Sequence, residues 1–237
     1  MHTTVIDPAI RARYRALKGG QEYAFTTVDP CSTAHLVVDM QNGFMEEGMP
    51  LEVPVARSIV PHINAVSRAV RSHGGTNVYF RFTTRSSRDW SVYFEQFQAA
   101  EFGDGEVTTF QPGSHGHALH RGLDVTAEDT VMDKTRFSPF TPSSSDALQV
   151  LRERGIDTVL VSGTLTDCCS AATARDAQQL GFRVILISDA NAALSDAEHN
   201  AAVNNVAAYF GDIRTTEQVV ALVEEAPERA APTAVTV

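Results

Sequence analysis

The order of apolar and helical segments along this chain predicts a three-layer α/β/α fold built on a mostly parallel sheet of about six strands. Three observations carry that expectation. Short, nearly continuous apolar runs alternate with segments of helical spacing, and strands buried on both faces of a parallel sheet read in that way. Glycines such as Gly74-Gly75, Gly155 and Gly181 close the helical segments. A chain of 237 residues with 43% hydrophobic content is long enough to bury one substantial core.

The elements follow in order. Residues 34–40, Ala-His-Leu-Val-Val-Asp-Met, form the first strand-like run, and Ile59, Ile63, Val66 and Val70 then mark one face of a helix over 55–73 that Gly74-Gly75 ends. Residues 77–83 and 129–134 read as the second and third strands, with a long irregular segment between them. Thr141-Pro142 opens a helix, because proline suits the first helical position, and Gly155 closes it. Residues 158–162 make a fourth strand, the helix after Cys169 ends at Gly181, and 183–188 make a fifth. Ser195-x-x-Glu198 is a capping box for the next helix. A short strand near 212–214 and a helix over 216–225 complete the pattern. The expected division is an N-terminal extension over 1–33, one folded domain over 34–225 and a flexible tail over 226–237, with no internal repeat.

The net charge of -10 opposes nucleic acid and anionic membrane surfaces as partners, so the expected ligand is a small molecule. No stretch reaches the apolar length of a membrane span. Cys31, Cys168 and Cys169 are too few for a disulfide framework, and charges occupy the first twenty residues where a signal peptide needs an apolar run. A reduced, cytoplasmic protein is expected.

Chemistry is sought just after the strands, since open parallel sheets bind ligands at their carboxyl ends. Cys168 and Cys169 stand where a strand gives way to a helix, and the positive end of a helix favours a thiolate. Asp39 and Lys134 also follow strands. A thiolate attacks an electrophilic carbon, a carboxylate takes and returns the proton, and an ammonium steadies both anions. Asp39, Lys134 and Cys169 are therefore the candidate catalytic group.

Three segments are more specific. Val37-Val-Asp-Met-Gln-Asn-Gly-Phe44, Asp133-Lys-Thr-Arg-Phe-Ser-Pro-Phe140 and Gly163-Thr-Leu-Thr-Asp-Cys-Cys-Ser-Ala-Ala-Thr-Ala-Arg-Asp-Ala177 resemble the signature segments of the isochorismatase-like cysteine hydrolases, in the family's order. The resemblance runs from about His35 to about Val223. It implies that Asp39, Lys134 and Cys169 are the catalytic three, the pattern Gly-x-x-Thr-Asp-x-Cys selecting Cys169 over Cys168, which then packs as core. It also implies a cis peptide between Thr164 and Leu165, an oxyanion hole made by the Leu165 and Cys169 N–H groups, and a homo-oligomer, dimer or tetramer. The implied activity is hydrolysis of a carbon–nitrogen bond in a small amide, ureide, carbamoyl compound or lactam through a thioester on Cys169, with no cofactor. Two other readings stay open: an isochorismate-type vinyl ether hydrolase that uses the aspartate without the thiol, and a non-catalytic binding subunit on the same fold.

Asn42, Phe44, Arg85, Trp90 and Phe137 are the candidate substrate contacts. Arg81 and Arg88 lie near them in sequence. Trp90, Tyr93, Phe94 and Phe97 recur at helical spacing and read as a helix packed on the core, with a pocket wall as the second reading. His115, His117 and His120 invite a metal site, but they sit in a Gly/Pro-containing stretch without a helical scaffold, and no metal is expected there. The resemblance points the same way. Nicotinamidases of the superfamily carry an Asp-x-His element after their second strand, where this chain has Arg81-Phe-Thr-Thr-Arg-Ser-Ser-Arg88.

Overall fold

Two strands carry the interior. β1 (Thr33–Val38) and β4 (Thr158–Thr164) have every residue buried in the computed structural model, which describes residues 1–226. They pair in parallel from Thr33 opposite Thr158 to Val38 opposite Gly163. β2 (Thr76–Phe82) and β3 (Thr130–Lys134) extend the sheet on one side, β5 (Arg183–Ala192) and β6 (Asp212–Arg214) on the other. The order is β3-β2-β1-β4-β5-β6, and all five pairings are parallel. The chain runs outward from β1 to β3, then returns to lay β4 against the free side of β1. The carboxyl ends of β1 and β4 thus flank the switch point where such sheets hold their ligands.

Side-chain alternation along the strands feeds two cores. Val37, Tyr79, Leu160 and Ile185 pack with Ile59, Ile63, Val66 and Val70 of α3 (Ala56–Ser72) and with Val219 and Val223 of α8 (Thr216–Glu224). On the other face Leu36, Val38, Val78, Phe80 and Val161 meet α5 (Ala147–Glu153), α6 (Ala171–Gln179) and α7 (Asp196–Tyr209). Among the described residues no helix is long and apolar enough to cross a membrane.

Four local readings are corrected. The helix expected at Thr141-Pro142 starts at Ala147, because the preceding turn is spent on the loop after β3: Thr135 N donates to Ser144 O and Arg136 N to Ser144 Oγ, with Ser143 at φ 65°. The irregular stretch between β2 and β3 holds a 3₁₀ turn (Ser87–Trp90), a π-helical turn (Val92–Phe97) and α4 (Ala100–Thr109). The wide π winding leaves Phe97 81% exposed while Phe94 is buried. The N-terminal extension contains α1 (Pro8–Leu17), capped by Asp7 and held to α7 by Asn200 and Asn204, whose amide oxygens accept from Val5 N and Asp7 N. Ser195 does cap α7, but Glu198 takes its hydroxyl rather than its backbone N–H; the reciprocal capping box is at Thr215 and Gln218 of α8. Of the expected tail, residues 227–237 lie outside the described residues.

Two features of the central strands bear on stability, and the first also bears on the site. Gly163 has φ 120°, and a Cβ there would sit 2.0 Å from Val38 O, so only glycine lets β4 close on β1 one residue before Asp39. Gly163→Ala is expected to cost about 3 kcal/mol or more of stability in denaturant titrations, through strain and backbone clash together. His35 lies fully buried across the sheet, with Nδ1 3.1 Å from Ser67 Oγ and Nε2 2.7 Å from Ser162 Oγ. Burial lowers its pKa from 6.5 to about 3. A histidine that must stay neutral when folded contributes full stability above pH 6.5 and loses it as pH falls towards 3, by roughly 4 kcal/mol at the end of that window. Denaturation midpoints followed from pH 7 to pH 4 should fall less steeply for His35→Gln than for the parent chain.

Candidate active site

Asp39 is the first residue past β1, and it leaves the strand in the left-handed region at φ 53°, which aspartate tolerates better than branched residues. Lys134 is the last residue of β3, with β2 between the two. Strand spacing makes that gap roughly 10 Å, and a lysine stem is long enough to close it. The ammonium passes 5.1 Å from the Phe82 ring of β2, ends 2.7 Å from Asp39 Oδ2 and donates to Arg136 O at 3.0 Å. Both side chains are fully buried. Lys134 thus meets Asp39 as an ion pair, and neither Asp39 oxygen has an aligned hydrogen-bond donor. Buried carboxylates are ordinarily well hydrogen-bonded, and an oxygen without a donor is free to receive a proton.

The third group arrives from β4. The strand ends at Thr164, the Thr164–Leu165 peptide is cis, and a π-helical turn (Thr166–Ser170) runs directly into α6. Leu165 O accepts from Cys168 N and Ser170 N, while the Leu165 N–H meets no acceptor among the described residues. Cys169 is 6% exposed. Its thiol neighbours the Asp39–Lys134 pair closely enough for the three groups to shift one another's ionisation.

Electrostatics corrects one expectation. A helix N-terminus was expected to favour a resting thiolate, yet hydrogen bonding with Cys168 and then burial push the Cys169 thiol well above the usual range, and Lys134 offsets them only in part. The thiol is protonated at rest. Burial likewise raises Asp39 against the pull of Lys134. Burial alone would lower Lys134, but the influence of its neighbours, the charge of Asp39 first among them, outweighs it and holds the ammonium above its ordinary value.

The thiol opens onto a cavity of about 70 Å³, room for a small acyl group. Leu165, Cys168 and Cys169 form one wall, the rings of Phe44, Phe82, Tyr93 and Phe137 the sides, and Leu51 and Glu106 the remainder. Of the expected contacts, Phe44 and Phe137 line it. Trp90 stands one layer back, stacked 4.4 Å from Tyr93 and edge-on to Phe137. Asn42 turns away to donate to His115 O, and Arg85 is exposed and outside the lining. Arg81 pairs with Asp133 and Arg88 is exposed. Cys168, expected as core, packs against that core and also faces the cavity. The three histidines do not converge: His115 meets Glu46, His117 meets Thr83, and His120 accepts from Gly122 N. Among the described residues no group of three or more metal-ligating side chains forms.

Glu106, Leu51 and Phe82 were not foreseen. Phe82 reads as ordinary core, and Glu106 lies in Ala-Glu-Phe-Gly-Asp-Gly-Glu, whose polarity suggests a solvated helix.

Known proteins share this arrangement of strands. A solved cysteine hydrolase from Pseudomonas syringae pv. phaseolicola 1448A superposes with a TM-score of 0.76 at 27% identity, covering 86% of this chain and 97% of that one. The chain is 34% identical, over 72% of its length and 85% of the relative's, to a probable inactive nicotinamidase of Arabidopsis thaliana. It is 30% identical, over 80% and 90%, to the ureidoacrylate amidohydrolase RutB of Caulobacter vibrioides. The isochorismatase domain model matches residues 33–218, and with the parallel sheet and its strand order this shows that the chain belongs to the isochorismatase family of hydrolases.

Proposed function

We propose that the protein is a cysteine-dependent hydrolase of carbon–nitrogen bonds in small amides, ureides, carbamoyl compounds or lactams. The observation that carries this reading is a fully buried carboxylate, paired with a lysine and lacking an aligned donor, beside a cysteine that opens onto a small cavity. The ureidoacrylate amidohydrolase named above supports the bond type.

When a substrate carbonyl enters, Asp39 takes the Cys169 proton and the thiolate attacks the carbonyl carbon. The developing oxyanion is received by the Leu165 and Cys169 N–H groups, a contribution worth about 3 kcal/mol per donor in other acyl-transfer enzymes. Asp39 then gives its proton to the leaving nitrogen, and ammonia or an amine departs from a thioester. A water that Asp39 deprotonates attacks the thioester, and the Cys169 thiol and the free acid are restored. Lys134 keeps a positive charge beside whichever anion is present, so the pair's net charge changes little as the proton moves.

The vinyl ether reading leaves the thiol without a task, although it faces the cavity. The binding-subunit reading has support in the name of the Arabidopsis relative, but a buried ion pair is a weak source of stability and its presence here fits chemistry better.

Screening amides, ureido acids and lactams for ammonia or acid release should find a substrate for which Cys169→Ser and Asp39→Asn lower kcat by a factor of roughly a thousand or more. Mass spectrometry should find the acyl adduct on Cys169; full activity in Cys169→Ala would remove the thioester route. Because Asp39 acts as a base from a raised pKa, kcat/KM should fall on the acid side at a pH above the free aspartate value of about 3.9. Alkylation by iodoacetamide should be slower at Cys169 than at exposed Cys31 at pH 7 and should accelerate above pH 9; rapid modification at pH 7 would mean that the thiolate exists before substrate arrives.

A further inference from the structure

One polar side chain in the cavity is unused by this mechanism. Glu106 projects from α4 into a lining otherwise made of aromatic rings, leucines and the two cysteines, and its residue is only 4% exposed. A buried carboxyl group needs partners. Gln98 Nε2 donates to Oε2 at 2.7 Å, while Oε1 has no hydrogen bond from the described residues. The position is held, since Thr84, two residues past β2, grips the end of α4: Thr84 N donates to Phe110 O and Thr84 Oγ1 to Val107 O.

The charges around the cavity matter as much. Its lining holds no arginine or lysine. Lys134 is committed to Asp39, and Arg136 donates to Thr135 O and Asp89 O while lying over Trp90. A substrate carboxylate placed in this space would meet Glu106 and no countercharge.

We infer that Glu106 selects the substrate: its free carboxyl oxygen accepts a hydrogen bond from an N–H at the end of the substrate distal to the scissile bond, favouring neutral carboxamides and ureides over carboxylate-bearing analogues. This deepens the amide-hydrolase reading and rests on it. Burial favours the protonated form of Glu106, against the hydrogen bond from Gln98 and the charge of Lys134. Rising pH therefore increases the fraction that accepts from an amide and repels a carboxylate.

Succinamide and succinamate test this directly, because they differ in one distal NH₂ replaced by O⁻. Hydrolysis is measured in the parent chain. Binding is measured by calorimetry in Cys169→Ser, so that recognition is read without acyl transfer. Both are repeated with Glu106→Leu, which removes the acceptor, and with Glu106→Gln, which keeps the shape and removes the charge. The parent should prefer succinamide at least tenfold, in kcat/KM and in Kd, with the preference growing from pH 6 to pH 9. Each Glu106 variant should cut that ratio at least tenfold, and thermal melts identify which variants are folded; if Glu106→Leu is not, Glu106→Gln decides. Equal handling of the two ligands by the parent, or an unchanged ratio in a folded variant, overturns the assignment. A Glu106-dependent binding preference with no acyl adduct on Cys169 would retain the selecting role and sink the thioester mechanism instead.

Discussion

The buried ion pair between Lys134 and Asp39 is the constraint on which the rest of the site depends. Each charge taken out of water costs several kcal/mol, and mutual attraction offsets that only when the geometry is held closely. The sheet holds it. β1 and β3 must flank β2 for the lysine to reach the aspartate, the left-handed turn at Asp39 must follow the last residue of β1, and the Phe82 ring must lie beside the ammonium. Gly163 lets the neighbouring strand approach closely enough to bring the cysteine to the same place.

Three titratable groups in one dry pocket cannot all be charged without penalty. At rest the pair is charged and the thiol neutral, which keeps the net charge small. In the proposed mechanism, moving one proton from Cys169 to Asp39 transfers the negative charge to sulfur and leaves the lysine beside it. In a pocket walled by Phe44, Phe82, Tyr93 and Phe137 such interactions are stronger than in water, and under the proposed mechanism reactivity is released by substrate rather than stored in a resting thiolate.

The parts that surround this centre differ in character from the parts that hold it. The central strands are buried throughout and mostly apolar, whereas much of the cavity wall comes from connections: the short helical pieces between β2 and β3 supply Tyr93 and Glu106, and the loop after β3 supplies Phe137. Functional variation on a constant scaffold ordinarily resides in such segments. The chain's first residues brace the turn that carries Cys169 from outside. His2 stacks 4.5 Å from His199, and His199 Nδ1 lies 3.0 Å from Thr166 Oγ1, at the start of the turn that carries Cys169.

The sequence by itself determined the parallel sheet, its six strands and the positions of Asp39, Lys134 and Cys169 at or beyond the carboxyl ends of strands. Those features are encoded locally, by runs such as Leu36-Val-Val38 and Val159-Leu-Val161 and by the residues that follow them. Only the tertiary structure decided the ionisation of the thiol, the burial of Glu106, the retreat of Asn42 and Arg85 from the cavity, and the turn in place of a helix at Pro142. Each depends on what arrives from elsewhere in the chain: Cys168 and the cavity walls around Cys169, Gln98 beside Glu106, His115 O beside Asn42, and the Thr135 and Arg136 amides that claim Ser144. Burial and hydrogen-bond partners are properties of the folded neighbourhood, and a residue's own identity does not carry them.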